Sequence, residues 1–210
     1  MSTSPRSDFN VEISARALGP NVPQRIGRIL WAPMLVMAVM AFPIGLAVGV
    51  IRSNLVAMNG DAATIAALGH LGPASMFVGF AAVFAAISFA IARILGVLRQ
   101  GGGEVQEAAG RAIQTLRMPR TGWAFIGLMA MAMMVILAGV VGNAIVGAAI
   151  LGGDAGALGQ SEGLAIWFEG IRRIGVAMYL VAIGLGLATI IEALRFQAIR
   201  LRELPAEATR

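Results

Sequence analysis

The chain is 210 residues long, 58% hydrophobic and only 13% charged, where soluble domains run at about 45–50% apolar and 25% charged. That balance excludes a disordered chain and argues against a soluble globule. The absence of cysteine excludes disulfides, a thiolate nucleophile and Cys-ligated metal, and a single histidine excludes a bis-histidine haem held between helices. The formal charge is +5 and all 16 basic residues are arginine. They flank apolar runs instead of forming one basic face, so membrane orientation explains them and nucleic acid is not a partner.

Residues 1–29 read as a polar cytoplasmic tail with Pro5, Pro20 and Pro23 and scattered Val11, Ile13 and Leu18, mobile and resting on the membrane. The leader is too long, and the apolar run after it exceeds the roughly 7–15 residues of a signal-peptide core, so the first helix is expected to stay as an anchor. Four apolar runs follow, at 30–51, 74–98, 122–147 and 174–197. Each holds the ~20 residues that cross about 30 Å of hydrocarbon. The expected organisation is a first transmembrane hairpin at 30–98, a cytoplasmic loop at 99–121, a second hairpin at 122–197 and a C-terminal tail at 198–210.

Arginine placement sets direction. Arg6, Arg16, Arg25 and Arg28 lie in the tail, Arg93, Arg99, Arg111, Arg117 and Arg120 around the central loop, and Arg195, Arg200, Arg202 and Arg210 at the C-terminal end. Only Arg52, Arg172 and Arg173 fall on the other side. The positive-inside rule then puts both termini and the central loop in the cytoplasm, as in a prokaryotic inner membrane protein. Gly101 to Gly103 are expected to break the second helix, and Val105, Ala108, Ala109, Ile113 and Leu116 to form a short amphipathic helix with Glu104 and Glu107 in its first turn. The outer segments, 52–73 and 148–173, read as loops rich in Gly and Ala.

The two halves resemble each other. Arg25, Arg28, Trp31 and Ala32 fall on Arg117, Arg120, Trp123 and Ala124 at an offset of 92 residues, both reading R-x-x-R-x-x-W-A. Two arginines followed by a tryptophan describe an interface anchor, with guanidinium at phosphate level and indole at the headgroup boundary. At an offset of 96, Ile87, Ala92, Ile94, Leu98 and Arg99 fall on Ile183, Ala188, Ile190, Leu194 and Arg195. The fold class is therefore read as all-α, an integral membrane four-helix bundle of two similar hairpins in a parallel internal repeat.

Few residues point to chemistry. Pro43 frees a backbone carbonyl inside the first helix, and Gly45 and Gly49 follow at GxxxG spacing, so a kink beside a close-packing face is expected. Twelve methionines raise a thioether metal path, but no His or Cys supports it and Met is a common apolar filler. Arg93 and Glu192 lie near the cytoplasmic ends of helices two and four, where an intramembrane ion pair or snorkelling would satisfy them. On the opposite side, His70 precedes helix two, and Glu169, Arg172 and Arg173 precede helix four. Glu169 is placed to pair with either arginine, and the group suits a lipid phosphate, another anion or a partner's carboxylates. His70, Asp61 and Asp154 lack metal-ligand spacing.

No enzyme signature is present. The leading expectation is a non-catalytic membrane subunit that anchors or assembles a larger complex, with lipids and other membrane subunits, or a second copy, as partners. A small oligomeric transporter or channel using the Pro43 kink is the alternative, and a membrane-embedded enzyme or lipid- or anion-binding protein the third. No cofactor is expected, although composition leaves a lipid or quinone between the helices open.

Overall fold

A computed structural model describes residues 9–14 and 18–208. The elements run β1 (Val11–Ser14), α1 (Val22–Ala57), α2 (Ala62–Ala108), β2 (Ile113–Leu116), α3 (Arg120–Leu151) and α4 (Ala155–Ala208). All four helices are long and apolar enough to cross a membrane, which agrees with a four-helix membrane bundle. Helices suit that solvent because every peptide N–H and C=O is paired within its own segment. The helices divide among two compact units, one holding 32–86 and 128–181, the other the described parts of 1–31, 87–127 and 182–210.

In the unit of 32–86 and 128–181, helices meet where glycine removes a side chain. A Cβ on Gly79 would stand 3.1 Å from the Phe42 ring, one on Gly72 3.3 Å from Val48, and one on Gly147 2.9 Å from Leu71. Gly45 faces Ser75 and Met76, Gly142 faces Phe168, and Gly175 faces Val135 and Ile136. Phe84 stacks on Tyr179 with centroids 4.3 Å apart. Of the most apolar 18-residue stretch, 39% is buried in α2 and only 17% in α1. α2 is thus the more enclosed of the two, and the buried positions of α1 in this unit include Ala38, Ala41 and Gly45.

The outer loops expected at 52–73 and 148–173 are mostly helix, and each turn is three or four residues. Asn59 has φ 50° and Gly153 φ 87°, and each ends a helix by the same pair of bonds. Gly60 N donates to Leu55 O and Asn59 N to Val56 O; Asp154 N donates to Ala149 O and Gly153 N to Ile150 O. These are Schellman ends. An aspartate then caps the next helix, Asp61 accepting from Thr64 N at 2.7 Å and Asp154 from Ala157 N at 3.0 Å. The Thr64 hydroxyl and then its N–H hold the Asp61 carboxyl below the usual carboxylate range. The cap therefore strengthens folding above the unfolded-state value and loses that contribution as pH falls through the lowered one.

The second unit departs further from expectation. The tail segment starts α1 at Val22 with a capping box, Gln24 N donating to Asn21 Oδ1 and Asn21 N to Gln24 Oε1. Among the described residues of that tail, 11–14 form β1, antiparallel to β2 with Val11 opposite Leu116. Residues 1–8 and 15–17 lie outside the described residues.

Gly101 to Gly103 do not break α2, and 113–116 is a strand instead of an interfacial helix. The glycines let other groups approach: Gln197 lies over Gly102, where its Nε2 donates to Leu98 O, and Leu18 packs on Gly103. α2 ends only at Ala108, where Gly110, φ 68°, turns the chain and Arg111 N bonds to Gln106 O. Glu104 and Glu107 consequently sit in its last turns. Ile113 and Thr115 point inward at a spacing of two, a pattern that the helical reading of 105–116 absorbed as its own. Gln106 fixes the segment: its Nε2 donates to Gln114 O at 3.0 Å, its Oε1 accepts from Gln114 N at 2.9 Å, and Arg200 Nε donates to the same oxygen.

Two substitutions test the uninterrupted helix. Gly101 has open space where a Cβ would go, so Gly101→Ala should stabilise by about 0.5–1 kcal/mol, the helix-propensity difference. Gly102→Ala should bring no such gain, because Gln197 must leave Leu98 O. Thermal unfolding in detergent compares the two, and a loss of stability in Gly101→Ala would place a helix break there.

Candidate functional site

In the unit of 32–86 and 128–181, the polar side chains collect near the two interhelical turns. α2 supplies His70, 1% exposed, α3 supplies Asn143, 2% exposed, and α4 supplies Ser161, Glu169, Arg172 and Arg173. Asn143 Nδ2 donates to Gly139 O at 2.8 Å, one turn back on its own helix. That leaves Oδ1 for the His70 ring, whose Nδ1 donates to it at 2.9 Å. Ser161 Oγ lies 3.1 Å from His70 Nε2, and a neutral ring accepts its proton there. Three helices are thus tied by one chain of hydrogen bonds, in which the His70 ring nitrogens and the Asn143 oxygen are paired.

Hydroxyl, imidazole and amide in that order also describe a serine nucleophile with its base and orienting group. A cavity of about 560 Å³ lined by His70, Ser161, Glu162 and Arg52 leaves Ser161 an open side. No local pattern marks this grouping, since 73 and 91 residues separate His70 from its partners.

Arg172 is the other centre. Its side chain is 9% exposed, and its Nη2 pairs with Glu169. Glu169 also accepts from Arg173 Nε at 2.9 Å, and Arg173 is 79% exposed. The expected pairing of Glu169 is therefore made with both arginines at once. The Arg172 stem passes Gly139, whose missing Cβ would come within 3.2 Å of Cγ, and the guanidinium lies 3.9 Å above the Phe77 ring. Its Nε and Nη1 are buried without a partner. A buried N–H left unpaired costs on the order of 1–3 kcal/mol. Arg172 borders two cavities, one of about 610 Å³ shared with Asn143, Glu169 and Arg173, the other of about 310 Å³ shared with Arg52. His70 is not part of the arginine cluster: its ring bonds run to Asn143 and Ser161.

The remaining candidates separate. Arg93 and Glu192 do not pair: Arg93 lies 5.5 Å over the Trp31 ring and Glu192 accepts from Thr121 at 3.5 Å. The indole and the hydroxyl offer nearer partners than the opposite charge. Trp31 is half-buried, while Arg25, Arg28, Arg117, Arg120 and Trp123 are exposed. Pro43 is exposed inside an unbroken α1, Gly45 is buried against Met76, and Gly49 has nothing within 4 Å of its Cβ position. No known protein family, curated protein or solved structure matches the chain.

A structural relay predicts that Asn143→Leu, which strands the His70 Nδ1–H, destabilises by about 1–3 kcal/mol, whereas Ser161→Ala, at the half-exposed end, costs less. It also predicts no covalent uptake of a fluorophosphonate. Stoichiometric labelling, abolished by Ser161→Ala, would make Ser161 a nucleophile and the protein an enzyme.

Proposed function

We propose that this chain is a non-catalytic membrane subunit that assembles, through its exposed helix faces, with other membrane subunits or with copies of itself. One observation carries the reading: Gly127 on α3 and Gly184 on α4 have nothing within 4 Å of their Cβ positions. Glycine inside a helix costs about 1 kcal/mol relative to alanine, and lipid gains nothing from it. A second helix does, because its backbone approaches closely over a glycine. Gly127 lies beside exposed Met131 and Met134, and Gly184 beside exposed Leu180, Val181 and Leu187, so both sit on apolar faces.

Gly45 belongs to a different class, since it packs inside the chain, and replacing it would damage the fold before any assembly. Two finer readings go with the proposal. One is a parallel duplication of the hairpin, supported by the shared R-x-x-R-x-x-W-A anchor and by turns of the same build at Asn59 and Gly153. The other is an inner-membrane placement with cytoplasmic termini, supported by the arginine distribution.

Purification from the native host in mild detergent should yield a particle heavier than one chain, with partners in fixed ratio or several copies. Gly127→Leu and Gly184→Leu should dissociate it while leaving the thermal midpoint of the single chain within a few degrees. A monomer before substitution, or a particle indifferent to both changes, would end the assembly reading. For orientation, cysteines replacing Glu107 and Ala62 should react with an impermeant maleimide from opposite sides, Glu107→Cys from the cytoplasm.

A further inference from the structure

The smaller cavity beside Arg172 has the outline of an amphiphile. Gly45 and Gly49 of α1 and Gly72 of α2 form its floor, Met76 and Phe80 are apolar walls, and Arg52 and Arg172 complete the lining. Its volume of about 310 Å³ lies at the lower end of the roughly 300–1,000 Å³ range of small-molecule sites. The two arginines flank the apolar spans read from the sequence, Arg52 directly after 30–51 and Arg172 two residues before 174–197. That is headgroup depth in a bilayer.

We propose that this groove binds a membrane amphiphile with an anionic head, a phosphate or a carboxylate, the chain lying over Gly49 and the head against Arg52 and Arg172. Arg172 requires such a group most directly. It is a nine-tenths-buried cation with Nε and Nη1 unpartnered, and an oxyanion in the groove would accept from it. Glu169 does not neutralise the site, because Arg173 shares the same carboxylate. Among the described residues, none that lines the groove is acidic.

Arg52 supplies the second charge. Its Nε donates to Ile65 O at 3.3 Å, and the guanidinium rests on Gly69, where a Cβ would stand 3.3 Å from Nε. A larger residue at 69 would push it off that helix. Gly49 keeps the trough open, with no atom of a neighbouring helix within 4 Å of its Cβ position. Two cations converging on one anion are the usual solution for holding a phosphate or carboxylate, and planar guanidinium groups suit both. The site is independent of the assembly faces on α3 and α4.

The test uses the full chain in nanodiscs of phosphatidylcholine mixed with phosphatidylglycerol in one series and oleate in another, with retained lipid read by native mass spectrometry after mild detergent release. The anionic species should be retained in preference to phosphatidylcholine by about fivefold for each arginine engaged, the equivalent of roughly 1 kcal/mol per basic residue. Preference in the phosphatidylglycerol series identifies a lipid phosphate, and preference in the oleate series a carboxylate. Either supports the site, and equal retention of anionic and zwitterionic species overturns it. Arg172→Gln should abolish the preference, but that side chain also supports the fold. Gly49→Phe projects into the trough from a position where an added Cβ meets no side chain, and Arg52→Gln changes an exposed position. Both should lose the preference at an unchanged thermal midpoint. Preference surviving in Gly49→Phe would overturn the groove.

Discussion

Hydrocarbon offers no hydrogen bond to a peptide group, and this one deficiency governs how the chain is built. Each apolar run pairs its backbone internally and becomes a helix. Because lipid is as apolar as leucine, burying more leucine would not draw the helices together. Contact has to come from close approach, so glycine stands at the crossings with Phe42, Val48, Leu71 and Phe168. Side-chain hydrogen bonds add to it: His70 with Asn143 and Ser161, and Thr189 with Thr121 at 3.1 Å.

The same deficiency makes an unpaired polar group conspicuous. Gln106, Asn143 and Thr189 are all buried and all bonded, which is the ordinary outcome. Arg172 departs from it, with two of its three nitrogens unsatisfied while its planar face is covered by Phe77. In such surroundings the ring stabilises the charge without taking up its N–H groups. The fold thereby presents a cation whose hydrogen bonds are still to be made.

The four spans were legible because their signal is compositional: some twenty apolar residues have few other readings. The short turns were missed, although their signals are in the sequence. Asn59, Gly60 and Asp61, and Gly152, Gly153 and Asp154, each carry a helix stop followed by a start, while their Gly- and Ala-rich flanks look like loop. Gly101 to Gly103 misled for the opposite reason. Three glycines weaken a helix locally, but Leu18 and Gln197 pack where side chains would have been, and tertiary contact overrides propensity. The pairing of β1 with β2, and the meeting of His70 with Asn143 and Ser161, join positions far apart in sequence. Periodicity is a local signal, so neither could be read from it. Arg52 and Arg172 stood out in the sequence as arginines apart from the three larger groups, but their common groove depends on which helices are neighbours.

The Asn59 turn has a chemical consequence. An asparagine followed by glycine is the pair most prone to lose its amide, by attack of the following backbone nitrogen on the side-chain carbonyl. Here Asn59 is held in the left-handed region, and the Gly60 nitrogen is engaged with Leu55 O at 2.8 Å. Attack requires that bond to open. Any conversion of Asn59 to aspartate or isoaspartate would therefore report local opening of the first hairpin, faster whenever the end of α1 frays and recorded as a permanent change in mass.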